Sequence, residues 1–226
     1  MKQYARFVAS LLLLFVMVSF SVSCKREKDP STNDWVDLGL PSGLMWATRN
    51  VGATSPEDYG DYFAWGETSH KSVYDWSTYR YCNGDRDQLT KYCNDSNDGY
   101  NGYTDNLIYL QPGDDAATAN YGGRTPTKYE WNELVANTTS HWTTQNGVNG
   151  LLFKGQNGNS LFIPAAGSRW DSTLSLDGST GNYWSSALVT TFAPSNAWDF
   201  CFDSGGRSMN QSSRNNGHSV RAVRQH

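Results

Sequence analysis

Along the last quarter of the chain, large apolar side chains recur at every second position, at Trp198, Phe200 and Phe202. A period of two puts all three on one face of a β-strand and leaves Asp199, Cys201 and Asp203 on the other. The flanking stretches Gly181-Asn-Tyr-Trp-Ser-Ser-Ala187 and Gly217-His-Ser-Val-Arg-Ala-Val-Arg224 carry a similar mixture of aromatic, small and polar residues. A strand with one apolar face buried can display assorted side chains on the other at little cost to folding. The expectation is a binding protein whose ligand face lies toward the C-terminus.

At the other end, Lys2 and Arg6 precede an apolar run from Phe7 to Phe20, closed by Ser21-Val-Ser23 and then Cys24. This is the layout of a secretory signal, too short for a spanning helix of about 20 apolar residues. A cysteine directly after the cleavage region resembles the bacterial lipoprotein signal, with Ser21 where Leu or Val is usual. The resemblance implies lipidation of Cys24, attachment to the membrane through that lipid, and an outward-facing place in the outer membrane of the cell envelope. A plainly secreted protein is the alternative. The expected division is a signal at 1–23, a lipidated cysteine and solvated tether at 24–33, and one domain at 34–226.

Charged residues make up 18% of the chain and aromatic residues 14%, so an aromatic core is paired with a surface of Asn, Ser, Thr and Gly. A net charge of −4 with no basic cluster excludes the electrostatic footprint of a nucleic-acid binder. No internal repeat stands out.

Many short strands and about two helices are expected. Trp35-Val-Asp-Leu38 and Leu44-Met-Trp-Ala-Thr48 flank a Pro/Gly loop and form one hairpin; Leu151-Leu-Phe-Lys154 and Ser160 to Gly167 form a second. Asp114-Asp-Ala-Ala-Thr-Ala-Asn120 reads as a short helix with an acidic start. Thr127 and Glu130 make a capping box that opens a helix burying Trp131, Leu134 and Val135. The segment from Tyr74 to Leu110, rich in Asn, Asp, Gly and Tyr, reads as a long ordered excursion. The class is α+β, a twisted and mostly antiparallel sheet with short helices and long loops.

Cys82 and Cys93 bracket a turn-rich segment and close as a disulfide in an oxidising compartment, or stay as two free thiols. Asp95-Ser-Asn-Asp-Gly-Tyr-Asn-Gly102 with Asp105 offers oxygen ligands for a structural calcium, but misses the EF-hand spacing and its terminal Glu; ordinary Asx turns are the other reading. No other cofactor is implied. No G-x-S-x-G, H-E-x-x-H or Walker run occurs, and His70, His141, His218 and His226 stand in unrelated contexts. An oxidase-like enzyme would have to rest on Cys201 alone.

Val36-Asp-Leu-Gly-Leu-Pro-Ser-Gly-Leu44, Gly60-Asp-Tyr-Phe-Ala-Trp-Gly-Glu67, Phe162-Ile-Pro-Ala-Ala-Gly167, Tyr183-Trp-Ser-Ser186 and Ser219-Val-Arg221, in that order, resemble the Fibrobacter succinogenes major paralogous domain family. That family is similar to the C-type-lectin-like and formylglycine-generating-enzyme group, which implies that fold. The final third also resembles the variable proteins of diversity-generating retroelements. This implies a ligand face made of Val189, Phe192, Ser195, Asn196, Asp199, Cys201, Asp203, Arg207, Asn210, Ser212, Asn215 and His218. Trp184, Ala197, Phe200, Phe202, Gly217 and Val220 are then framework. Phe192, an aromatic in a polar loop, reads either as an interface anchor or as a side chain tucked under its loop. The expected ligand is a surface protein or glycan, bound without bond changes. A structural subunit of a surface assembly is the alternative.

Overall fold

The computed structural model describes residues 34–191 and 194–226, so the expected signal, Cys24 and the tether lie outside the described residues. Along the chain the strands are β1 (Trp35–Asp37), β2 (Met45–Ala47) and β3 (Tyr62–Phe63), followed by helices α1 (Ala116–Asn120) and α2 (Lys128–Asn137). Then come β4 (Thr138–Gln145), β5 (Val148–Gly155), β6 (Ser160–Pro164), β7 (Ser168–Trp170) and β8 (Thr173–Ser175). The last strands are β9 (Gly181–Leu188), β10 (Asn196–Phe202), β11 (Arg207–Ser213), β12 (His218–Ser219) and β13 (Val223–Arg224). The class is α+β with mostly antiparallel open sheets. No helix among the described residues is long and apolar enough to cross a membrane.

The central sheet runs in the order β11-β10-β9-β12-β3, antiparallel except where β12 lies parallel to β9. Its alternation feeds two cores. Tyr183, Phe200 and Phe202 pack with Trp46, Trp131 and Ile163 on one side, whereas Trp184, Leu188 and Ala197 pack with Phe63, Trp65 and Tyr79 on the other. Both faces of β9 and β10 are therefore covered over much of their length. Two smaller three-stranded sheets flank the centre: β1-β2-β13 ties the last strand to the first hairpin, and β4-β5-β6 backs the aromatic core.

Helix α2 starts as its sequence dictates. The Thr127 hydroxyl accepts from the Glu130 amide at 3.3 Å and a Glu130 carboxylate oxygen accepts from the Thr127 amide at 2.8 Å. Arg124 donates to both carboxylate oxygens of Glu130, at 2.7 and 2.5 Å. Trp131 and Leu134 are buried, with the Trp131 ring stacked on Phe200 at 4.6 Å. At α1 the two adjacent aspartates divide their work. Asp115 caps the helix through the Ala117 amide, while Asp114 accepts from the hydroxyls of Tyr81 (2.6 Å) and Tyr92 (2.5 Å) and from the Lys91 ammonium (2.5 Å). Burial opposes ionisation of Asp114, but those three donors outweigh it and hold the carboxyl below its ordinary range.

The excursion from Tyr74 to Leu110 has almost no regular structure but is ordered by its tyrosines. Tyr74, Tyr79, Tyr81 and Tyr92 are all buried. Arg214 threads between them: it donates to the Tyr79 hydroxyl and to the carbonyls of Tyr92, Pro194 and Lys91, with its guanidinium over the rings of Trp65, Tyr79 and Tyr92. This lays the excursion across the Trp184 side of the sheet.

Candidate functional site

Residues that oppose each other across an antiparallel pair point to the same side of the sheet. The register pairs Phe202 with Arg207, Phe200 with Met209 and Trp198 with Gln211; on the other side it pairs Cys201 with Ser208, Asp199 with Asn210 and Ala197 with Ser212. Phe200 and Phe202 are buried as expected. Trp198 is only half-buried and lies under the Lys128 ammonium, 4.4 Å from the ring centroid. On the second side the expected freedom exists only toward the outer strand, where Ser208 and Asn210 are exposed while Cys201 and Ser212 are half-buried.

Of the other residues expected to display, Asp203 and Arg207 are exposed, Asn196 is half-buried, and Phe192 lies outside the described residues. Five are corrected to interior positions: Val189, Ser195, Asp199, Asn215 and His218, each at most 3% exposed. The Val189 amide donates to the Asn196 carbonyl at 3.1 Å. The Ser195 carbonyl accepts from the Arg214 amide, and the Asn215 amide group donates to the Tyr74 carbonyl at 3.2 Å. His218 pairs with Phe63 of β3 and stacks on Trp184 at 4.1 Å. The tyrosine-rich excursion accounts for Asn215 through Tyr74 and for Ser195 through Arg214, whereas β3 and Trp184 enclose His218.

Asp199 and His218 meet in that interior. The Nδ1 atom of His218 lies 3.8 Å from Oδ2 of Asp199, too far for a hydrogen bond, and among the described residues neither atom has a hydrogen-bond partner. Burial pushes the Asp199 carboxyl up to about 7, partly offset by the nearby Ser212 hydroxyl. Burial pushes the His218 imidazole down to about 3. At neutral pH the imidazole is uncharged, and the carboxyl holds its proton much of the time.

The exposed end is the turn joining β10 to β11. The Asp203 amide donates to the Gly206 carbonyl at 2.9 Å, and one Asp203 carboxylate oxygen accepts from the amides of Gly205 and Gly206 at 2.7 and 2.9 Å. A depression of about 360 Å³ lies along Cys201, Asp203 and Ser208, and one of about 190 Å³ lies between the turn and Ser140, His141 and Trp142. Arg207 lines both and makes no ion pair among the described residues. Ser208, Ser140, His141 and Trp142 were not expected at a site. Asp203-Ser-Gly-Gly206 was the available signal for a projecting hairpin tip.

Cys82 and Cys93 are free thiols, so the disulfide is not formed. Each sulfur is turned to a different backbone acceptor, Cys82 to the Trp76 carbonyl at 3.1 Å and Cys93 to the Asp95 carbonyl at 3.0 Å. The carboxylates of the suggested calcium loop serve its own backbone. Asp105 accepts from the amides of Tyr92, Cys93 and Leu107, and Asp95 from the amide and side chain of Asn97. Among the described residues no group of three or more His, Cys, Asp or Glu is placed to hold a metal. Burial and the carboxylates of Asp199 and Asp203 push the Cys201 thiol up to about 11, away from the thiolate a nucleophile needs.

No protein-family model, curated protein or solved structure matches the chain.

Proposed function

We propose that this chain is a non-enzymatic, lipid-anchored protein of the outer membrane whose domain, of C-type-lectin-like fold, binds a macromolecular surface ligand through the β10–β11 hairpin. The observation that supports this most is the hairpin tip, where Arg207, unpaired among the described residues, stands between two depressions on a turn braced by Asp203. Rigid support from two aromatic cores keeps the entropic cost of binding low. The contact set narrows to Asn196, Cys201, Asp203, Arg207, Ser208, Asn210 and Ser212, with His141 and Trp142 alongside. Retroelement diversification then acts on the exposed members of that set. Sequencing the 3′ end of the gene across isolates should show changes at Asp203, Arg207 and Asn210 with Asp199 and His218 fixed.

The direct test is capture of surface proteins and glycans by the full chain and by an Arg207→Glu, Asn210→Lys variant. Ligands lost with the variant locate the site, and ligands kept by it place binding elsewhere. A second reading, an assembly subunit, draws on the position of β11, a seven-residue strand at the open edge of the central sheet. Sedimentation decides between the two: a chain that stays monomeric at high concentration removes the assembly reading.

A further inference from the structure

At the opposite edge of the central sheet, beside β3, lies a concavity of about 510 Å³. That size suits a small-molecule site. Its floor is fixed: the buried Tyr62 donates its hydroxyl to the Ala166 carbonyl at 2.6 Å, and the Tyr74 hydroxyl donates to the Tyr62 carbonyl at 2.6 Å. Arg169 enters from β7, where its amide and carbonyl exchange hydrogen bonds with Gly217 at 2.7 and 2.9 Å. Gly217 leaves room for the Tyr74 ring, which a Cβ at that position would meet at 2.7 Å.

The charges in this concavity are unequally used. The Lys71 ammonium is engaged by Glu67 at 2.9 Å and the Thr78 carbonyl at 3.0 Å. His70 faces Asp61 at 3.4 Å, with both side chains partly in solvent. The Arg169 guanidinium lies over the Tyr62 ring at 5.1 Å and, among the described residues, has neither an ion-pair partner nor a hydrogen-bond acceptor. This cation–ring contact leaves the donors of the planar fork free for a carboxylate.

We infer that this concavity binds a small hydroxylated carboxylate, about the size of one acidic sugar ring. A single free guanidinium balances one carboxylate, whereas a phosphate dianion would be left with surplus charge beside Asp61. Asp61 repels a second acid but accepts hydrogen bonds from hydroxyls, and Ser172 at the rim adds a hydroxyl of its own. The site is separate from the β10–β11 hairpin and does not rest on it.

Calorimetric titration of the full chain with D-glucuronate tests the inference, with glucose and acetate as comparators that lack the carboxylate or the hydroxyls. Glucuronate should saturate with a Kd on the order of 1 mM. It should bind at least about tenfold more tightly than either comparator, and Arg169→Gln and Arg169→Lys should each weaken it about tenfold, because Lys lacks the fork. Asp61→Asn should lower the ratio of glucuronate to acetate affinity, because it removes a repelling charge for both ligands but a hydroxyl acceptor for glucuronate alone. Equal binding of glucose, no saturation by glucuronate, or unaltered affinity in Arg169→Gln would each overturn the inference. Should the Arg169 variants fail to fold, the three-ligand comparison on the unaltered chain and the Asp61→Asn result still decide it.

Discussion

Asp199 and His218 face each other across 3.8 Å in the interior of the central sheet, both shut off from solvent and with no hydrogen bond between them. A charged carboxylate here would lose its hydration with little beyond the Ser212 hydroxyl to compensate, and an imidazolium would gain no ionised partner. Two neutral groups are the arrangement that burial favours.

The pair gives stability a specific pH dependence. The carboxyl of Asp199, raised to about 7, holds a proton that the unfolded chain releases near pH 4, so its contribution falls as pH rises from about 4 to 7. His218, lowered to about 3, stays neutral while the unfolded chain takes up a proton below about 6.5, so its contribution falls as pH drops through that window. From about pH 4.5 to 6 the two proton differences have opposite sign and cancel. Asp199→Asn removes the first and leaves the second, and relative to the unaltered chain its stability should rise by about 1.4 kcal/mol per pH unit over that range. Urea denaturation at both ends of the range reads this, and parallel pH profiles would refute the neutral pair.

Arg214 offers a test of how the tyrosine-rich excursion is held. Its four donated hydrogen bonds end on the Tyr79 hydroxyl and on carbonyls from two further stretches of chain, Lys91–Tyr92 and Pro194. Arg214→Met keeps much of the apolar stem but strands those acceptors, and a loss of about 3 kcal/mol or more is expected. Arg214→Lys should recover little of it, because one ammonium cannot reproduce the planar fork. Near-ultraviolet circular dichroism should lose tyrosine signal in both variants, and unchanged spectra and midpoints would show that the excursion docks without this clamp.

The capping box predicts a smaller effect of known sign. Thr127→Ala removes the acceptor for the Glu130 amide and should cost about 1 kcal/mol, whereas Thr127→Ser should be near neutral. Equal denaturation midpoints for the Ala and Ser variants would mean that the Arg124–Glu130 pair holds the turn without the cap.

What the sequence revealed and what it hid divide along physical lines. Thr127, Glu130 and the Trp131/Leu134 face were readable because a cap and a helical period are local signals. The strand β11 was not read, since Arg-Ser-Met-Asn-Gln-Ser-Ser carries only one apolar residue and gains its place from pairing with β10. Asp199 misled for a different reason. An aspartate at an alternate strand position reads as solvent-facing, and its place beside His218 depends on β12, which joins the sheet only in three dimensions. A register shift between Ala197 and Asp199 against β9 compounds this, because strict alternation assumes a regular ladder. Trp198, placed with the core by the same alternation, lies half-buried under Lys128. At the candidate site, Asp203, Arg207 and Asn210 are exposed as their sequence positions suggest, while His141 and Trp142 come from β4, far away in sequence.

The division between displayed and interior positions is open to measurement by substitution. Arg207 and Asn210 are exposed, and neither forms a side-chain hydrogen bond or ion pair among the described residues, so Arg207→Ala and Asn210→Ala should each change stability by no more than about 0.5 kcal/mol. Val189 is fully buried, and Val189→Asp places a carboxylate where nothing solvates it, so a loss of at least about 3 kcal/mol is expected. The comparison bears directly on the proposed function, because a position can vary among ligand specificities only if most side chains leave the fold intact. Denaturation midpoints that follow this split would confine any variable surface to the hairpin tip and the outer row of β11. A Val189→Asp variant as stable as Arg207→Ala would return the loop after β9 to the ligand face and widen that surface.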